Sequence, residues 1–450
     1  MTRNHDLGKI RHLRWYILGL IFLATIINYL DRMVWNVTQP YIGEIYQLSN
    51  TQLALIVLAF NLGYTLGPVP MGWFMDRVGT RRGYPFSMAF WSSAGVLTAL
   101  AIPIGHALKS VVPFYVAPVI LGFMVCRFVL GVGESGNWPV AIKSISEWFP
   151  ARERSFAMGI FNSGSSVGAT VAPALCLWLM AAFGWRATFV LVGIIGFLWI
   201  VGWIALYRPP SEHERITEEE LNYITKSDSP DQVVQEVKIM RWTEVLKIRA
   251  VLGVLATRFF AEQVWWFCQT WIPTYYKQER NLDIKSLAIF TTLSFLSSDL
   301  GNIFGGWASS ALIKLGWSVD RARKVVMLPC GLLMMSSLAV PFVGLHLAVA
   351  LIALLTFCYQ SWSVNMLTIP ADVVPRRALA SAAGLAHMAA GGAAILINLL
   401  TGKLSDLYGF TPVFLIIGAD AMLAVVLLFV AVGRIDPYRR NEEDEPRSNC

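Results

Sequence analysis

The chain has 450 residues, of which 56% are apolar and only 14% charged, against roughly 25% charged in an ordinary soluble domain. Five of the charges fall in residues 1–14, 15 in residues 211–249 and nine in residues 434–450, so the rest of the chain carries 36 and cannot be a water-soluble enzyme. The net charge of +7 sits in short basic clusters between apolar tracts, which excludes a nucleic-acid-binding face and marks the clusters as topology signals.

Apolar windows of the ~20 residues that cross a bilayer recur along the chain. They predict twelve spans near residues 14–40, 51–75, 83–104, 111–136, 153–181, 186–207, 250–276, 286–313, 325–343, 345–370, 378–404 and 410–433. These tracts are too long for the alternating ~10-residue strands of a membrane barrel, so the expected fold is all-α. The first span is long and lacks a small-residue cleavage site, so no removed leader is expected. Residues 1–13 read as an N-terminal tail, 14–207 as a first six-helix bundle, 208–249 as a linker with a helix-forming patch at Thr217 to Tyr223, 250–433 as a second bundle and 434–450 as a C-terminal tail. With both termini in the cytoplasm, about 27 Lys and Arg lie on that side and about five on the other, the bias expected of cytoplasmic loops. The six cysteines have neither metal-ligand nor disulfide spacing.

In chain order, span 1 carries Asn28-Tyr29-Leu30-Asp31-Arg32. Asp31 and Arg32 are ~100° apart around a helix, so one can face a partner while the other faces a cavity. Span 2 carries Tyr64 and ends in Gly72-Trp-Phe-Met-Asp76-Arg77-Val-Gly79-Thr-Arg81-Arg82, where Asp76 can cap or pair across a helix end and Arg77 and Arg81 can anchor to headgroups, a gate. Span 4 holds Arg127 and Glu134, seven residues apart and so on one face. Ionisable groups inside a span cost several kcal/mol unless paired or in a polar cavity, which makes Asp31, Arg32, Arg127 and Glu134 functional candidates; an ion-pair network that only holds helices together is the competing reading. Gly131-Val-Gly133-Glu134-Ser-Gly136 matches a dinucleotide fingerprint, but no strand precedes it, and helix packing is the better account. The same holds for the pairs Gly63/Gly67, Gly164/Gly168 and Gly301/Gly305. Span 7 carries Arg258 and Glu262, which at i and i+4 can satisfy one another, and aromatics including Trp265.

The two halves echo each other. Gly72-Trp73 with Asp76-Arg77 and Arg81-Arg82 matches Gly306-Trp307 with Asp320-Arg321 and Arg323-Lys324, and Arg154 before span 5 matches Arg377 before span 11. Such repeats suggest a two-bundle transporter with its site near the midplane. The loop after span 2 resembles the signature of the major facilitator superfamily. Asn-Tyr-x-Asp-Arg in span 1, Tyr64, and Arg127 to Glu134 to Pro139 resemble its anion:cation symporter family. Arg258 to Phe267, Asp299 to Trp307 and Gly316 to Lys324 resemble the hexuronate transporter branch.

That resemblance implies substrate contacts at Arg32, Tyr29 and Tyr64, proton sites at Asp31 and Glu134, and a supporting Arg127. Where galactonate transporters place a substrate glutamine this chain has Ser165, and their substrate asparagine falls near Gly391, one turn from His387; a uronate is therefore expected over an aldonate. Trp265 and Asn365 are further expected contacts of the second half. The expected function is uptake of a hexuronate such as galacturonate or glucuronate with protons by a monomer in a bacterial inner membrane, needing no cofactor, metal or nucleic acid. The competing readings are another organic anion or an uncoupled facilitator. A sensor lacks an output domain, and an ATP-driven pump lacks a phosphate-binding Gly-x-x-x-x-Gly-Lys-Ser/Thr loop.

Overall fold

The computed structural model describes residues 9–111, 116–226, 246–247, 249–369 and 376–433, and they form helices and no strand. In chain order the helices are α1 (Leu13–Tyr46), α2 (Asn50–Leu66), α3 (Pro68–Thr98), α4 (Ala101–Val111), α5 (Pro118–Glu134), α6 (Asn137–Trp148), α7 (Ala151–Leu206), α8 (Glu218–Lys226), α9 (Arg249–Gln278), α10 (Ile284–Lys314), α11 (Val319–Met334), α12 (Leu345–Met366), α13 (Arg376–Tyr408) and α14 (Thr411–Leu427).

Among the described residues, eight stretches are long and apolar enough to cross a membrane, and the 56-residue α7 is two of the spans, because Gly184 breaks it in a left-handed conformation (φ 79°) that glycine adopts without strain. Gly79 (φ 75°) divides α3 in the same way, so the expected loop between spans 2 and 3 is a glycine corner. Adding the two legs of α3, the first continuing α2, and the more polar α9 gives the twelve spans. Residues 1–8 of the N-terminal tail, residues 227–245 and 248 of the linker, and the C-terminal tail lie outside the described residues.

One boundary differs from expectation. The third span was expected to run to residue 104, but the helix ends at Thr98 and α4 leaves it at 91°. Apolar continuity through Ala99-Leu100 hides the bend, which is built from close backbone approach: a side chain on Gly105 would strike the Pro118 carbonyl, and one on Gly122 the Ala101 carbonyl.

The chain divides into two compact units, residues 1–235 with 270–292, and residues 236–269 with 293–450. Residues 270–292, from the second half of α9 into α10, group with the first unit. Within the first unit those residues are held by polar contacts: Gln39 Nε2 donates to Thr274 Oγ1 at 3.2 Å, Asn50 and Gln278 exchange amide hydrogen bonds, and Lys277 pairs with Glu44 at 3.4 Å.

The core of the first unit gathers Ile17, Ile21, Met88, Trp91, Trp148, Phe161 and Trp203, and linker residues Ile216 and Ile224 join it. The linker is thereby fastened to the first bundle. Glu220 of α8 is buried and accepts the Leu13 and Arg14 amides, two donors left open at the start of α1. The Arg14 guanidinium bridges Glu220 (2.9 Å) and Glu153 (3.2 Å), and Tyr223 donates to Glu153. Glu220→Ala is therefore expected to destabilise the purified protein by about 2 kcal/mol, read as a lowered Tm, because a buried charge and two helix-end amides lose their acceptor together; an unchanged Tm would refute the clasp.

The glycine pairs act as expected for packing. Added side chains would meet the Phe128 carbonyl from Gly63, the Phe22 carbonyl from Gly164 and the Phe357 carbonyl from Gly301. In the nucleotide-like motif, Gly131 abuts the Phe60 carbonyl and Gly133 the backbone of Trp91.

Candidate functional site

The polar run of α1 is buried, and α5, packed on α2 and α3, reaches it through the Glu134 side chain. Arg32 directs Nε (3.0 Å) and Nη2 (2.9 Å) at one oxygen of Glu134, Oε2, leaving Oε1 with no hydrogen-bond partner. Neither side chain is more than 5% exposed. Around the Arg32 guanidinium stand Tyr29 at 4.9 Å, Tyr64 at 4.4 Å and Phe60 at 5.4 Å to the ring centroids. An arginine framed by ring faces has its plane fixed and its outer donors open to a second carboxylate. The Phe60 and Tyr64 rings stack at 5.8 Å. The bare flanks of Gly131 and Gly133 are what let Phe60 of α2 and Trp91 of α3 come close enough to enclose Glu134.

Arg127, two turns from Glu134, is also buried. Its guanidinium lies 4.5 Å from the Phe60 ring and 5.7 Å from Trp35, and its Nε and Nη1 have no hydrogen-bond partner among the described residues. Asp31 points the other way around α1, as its spacing from Arg32 predicts. A side chain on Gly95 would come to 3.2 Å from its Oδ1, and among the described residues neither its Oδ2 nor the two amide atoms of the buried Asn28 have a hydrogen-bond partner. The pocket of charge thus holds two arginines and two carboxylates but one close ion pair, with donors and acceptors left over. Buried polar groups are ordinarily satisfied, so an unfinished network in a span is what a site for a transient polar guest requires.

Of the other expected contacts, Ser165 donates its hydroxyl to the Asn162 carbonyl at 2.6 Å. In the second unit, Trp265 stacks on Tyr359 (5.5 Å, 8°) with Phe295 edge-on at 6.2 Å. Asn365 is differently occupied: its amide nitrogen donates to the Gly305 carbonyl of α10 at 3.1 Å and to the Ser361 carbonyl of its own helix at 3.0 Å, so one hydrogen joins α12 to α10 and the other returns to α12. The side chains of His387 and Asp76 lie outside the described residues. Arg77 and Arg81 are exposed, Arg77 lying over Trp73 at 3.8 Å.

Sequence reasoning missed Glu147. At the Gly79 corner, Thr80 and Tyr207 both donate to Glu147 Oε2 at 2.8 Å and their hydroxyl oxygens lie 2.8 Å apart, pinning the corner to α6 and α7. In sequence Glu147 resembles any acid of a cytoplasmic loop; the nearby Trp148 and the terminal Tyr207 were the only hints.

A family model described as Major Facilitator Superfamily matches residues 21–314 and 308–449. The hexuronate transporter of Escherichia coli K12 is 31% identical over 426 residues, covering 94% of this chain and 95% of that protein. The galacturonate transporter of Dickeya chrysanthemi is 32% identical over 299 residues, covering 66% and 82%. A probable galactarate/D-glucarate transporter of Escherichia coli K12 is 28% identical over 434 residues, covering 94% and 96%. Among solved structures, a bacterial homologue of the human lysosomal transporter Spinster superposes with TM-score 0.72 at 17% identity, covering 94% of this chain and 96% of that one. The xylose transporter XylE of E. coli superposes with TM-score 0.69 at 16% identity, covering 94% and 97%. The two-bundle helical fold, the family match and these relatives agree, and the chain belongs to the major facilitator superfamily, a multi-pass membrane transporter and not an enzyme.

Proposed function

We propose that this transporter carries a hexuronate, such as galacturonate or glucuronate, into the cell together with protons, from a bacterial inner membrane in which both termini face the cytoplasm. The observation that carries the reading is the buried Arg32–Glu134 pair with Tyr29 and Tyr64 against the guanidinium and two unpartnered Arg127 nitrogens beside it. The relatives' names supply the substrate class.

The chemistry follows from charge balance. With all four groups ionised the cluster is neutral, so a bare anion entering it adds an uncompensated buried charge, which is costly. Protonating Glu134 removes its claim on Arg32 and frees the planar fork for the substrate carboxylate, while the charge count is restored. Tyr29 and Tyr64 offer hydroxyls and flat faces to the sugar ring. Asp31 is the second carboxylate able to take a proton. Arg127 stabilises the cluster when either carboxylate is ionised, and release of substrate to the higher-pH side returns Glu134 to Arg32.

Competition uptake tests the substrate class. Unlabelled galacturonate or glucuronate is expected to suppress galacturonate uptake, galactonate to do so less and phthalate not at all; suppression by phthalate equal to that by galacturonate would move the assignment to another organic anion. Asp76 is assigned to gating with Arg77 and Arg81, so Asp76→Asn is expected to slow transport while leaving equilibrium substrate affinity intact. Lost affinity in a folded variant would place Asp76 in the binding machinery instead.

A further inference from the structure

Asn28 opens the polar run of α1 and has no part in the mechanism above. Thr25, Asn28 and Arg32 lie at i, i+3 and i+7, one stripe of the helix, and both ends of that stripe reach the junction between α5 and α6. At one end Arg32 pairs with Glu134, the last residue of α5. At the other, Asn137, the first residue of α6, donates its amide nitrogen to Thr25 Oγ1 at 3.4 Å and accepts from the Tyr84 hydroxyl at 2.7 Å. Asn28 stands between these two cross-links, fully buried, with Oδ1 and Nδ2 both unpartnered among the described residues.

A buried amide without partners is costly, so one kept in this state suits a partner that forms in another state of the cycle. Loading Glu134 with a proton creates such a partner. The ionised carboxylate only accepts, and Arg32 satisfies its Oε2; the neutral acid carries an O–H that needs an acceptor once Arg32 has turned to substrate. Its other oxygen, Oε1, is unpartnered among the described residues. Of the remaining unpartnered atoms of the cluster, Arg127 Nε and Nη1 and Trp91 Nε1 only donate, and Asp31 is turned to Gly95 of α3. The Ser92 hydroxyl faces Gly196 of α7. The Asn28 carbonyl oxygen is the neutral acceptor that remains.

We infer that Asn28 is a positioning residue for proton coupling: its Oδ1 accepts the hydrogen bond of protonated Glu134 and holds that side chain off Arg32 while the substrate carboxylate is bound. The inference rests on the proton-coupled reading above. The proton adds at Oε1, the Arg32–Glu134 pair opens and one hydrogen bond to Asn28 forms; on deprotonation the carboxylate returns to Arg32. The titratable and charged groups about Glu134 are Arg32, Asp31 and Tyr29 of α1, Tyr64 of α2, Tyr84 of α3, Arg127 of its own helix and Cys176 of α7, and among them Asp31 is the one other carboxylate.

The test is calorimetric titration of the purified full-length protein with galacturonate across a pH series, wild type against Asn28→Leu. Wild-type affinity is expected to be constant at low pH and to fall as pH rises and Glu134 loses its proton. Leucine is close to asparagine in shape but leaves the acid O–H without an acceptor. The fall is therefore expected to begin about one pH unit lower, with affinity ~10-fold weaker on the high-pH side and unchanged on the low-pH side. Asn28→Thr, which keeps an oxygen acceptor, is expected to shift the profile less, and Asn28→Ala serves as the acceptor-free variant if the leucine variant does not fold. In Glu134→Gln the fall is expected to be absent, with and without Asn28→Leu. Equal weakening at every pH would make Asn28 a packing residue, and an unshifted profile would remove it from coupling; either overturns the inference. So does a shift that persists in the Glu134→Gln background. Wild-type affinity indifferent to pH, or no binding of sugar acid at all, would instead sink the functional reading on which the inference rests.

Discussion

Arg32→Lys is expected to lose sugar-acid binding by ~100-fold, about 2.7 kcal/mol, measured by titration of the purified protein. The guanidinium stands within 5.4 Å of three ring centroids and directs two nitrogens at one carboxylate oxygen. An ammonium keeps the charge but has neither the planar fork nor the stacking surface, so it can hold Glu134 without presenting a second, parallel pair of donors to substrate. Lysine is the informative replacement because alanine would leave Glu134 buried and unpaired, and the several kcal/mol lost would be stability rather than recognition. Wild-type affinity in Arg32→Lys would make Arg32 a structural counter-ion to Glu134.

The second large effect is expected at Glu134. Glu134→Gln is isosteric, cannot cycle a proton and leaves Arg32 permanently unclaimed. Uphill accumulation of substrate is expected to vanish, while exchange of labelled for unlabelled substrate across the membrane survives, since exchange requires no net proton movement. The pair geometry explains the choice of Glu134 over Asp31: Glu134 touches Arg32, the cation proposed to bind substrate, whereas Asp31 faces Gly95. One proton per monoanion, taken by Glu134, keeps the cluster neutral; a second carried by Asp31 would move one net positive charge inward in each cycle and gain ~2.3 kcal/mol per 100 mV. Concentrative uptake at normal rate by Glu134→Gln would leave coupling to Asp31 alone.

The residues of this cluster were legible in the sequence because the bilayer makes them so. A charge in an apolar window stands out, and the seven-residue spacing of Arg127 and Glu134 puts both on one face. What the sequence does not reveal is which charges pair. Asp31 and Glu134 are equivalent in pattern, and only the structure shows that it is Glu134 that pairs with Arg32. Glu220 was hidden for another reason: it is one of three consecutive glutamates, and the rotational phase of α8 decides which of them turns inward to cap α1. Asn365 shows the opposite failure. A polar side chain in a span has the same appearance in sequence whether it faces a substrate or a neighbouring carbonyl, and here its hydrogens go to Gly305 and Ser361. The right-angled turn into α4 depends on backbone contacts at Gly105 and Gly122, which a run of apolar residues does not announce.

Coupling of substrate to protons is the central claim, and proteoliposomes holding the purified transporter test it most directly. With a pH-sensitive dye outside and no imposed gradient, adding galacturonate is expected to make the outer solution more alkaline as protons enter with it, and an inward proton gradient is expected to drive accumulation that an uncoupler abolishes. Galacturonate entry with no pH change and no response to the uncoupler would contradict the account and leave a facilitator in which Asp31 and Glu134 serve only to hold the arginines.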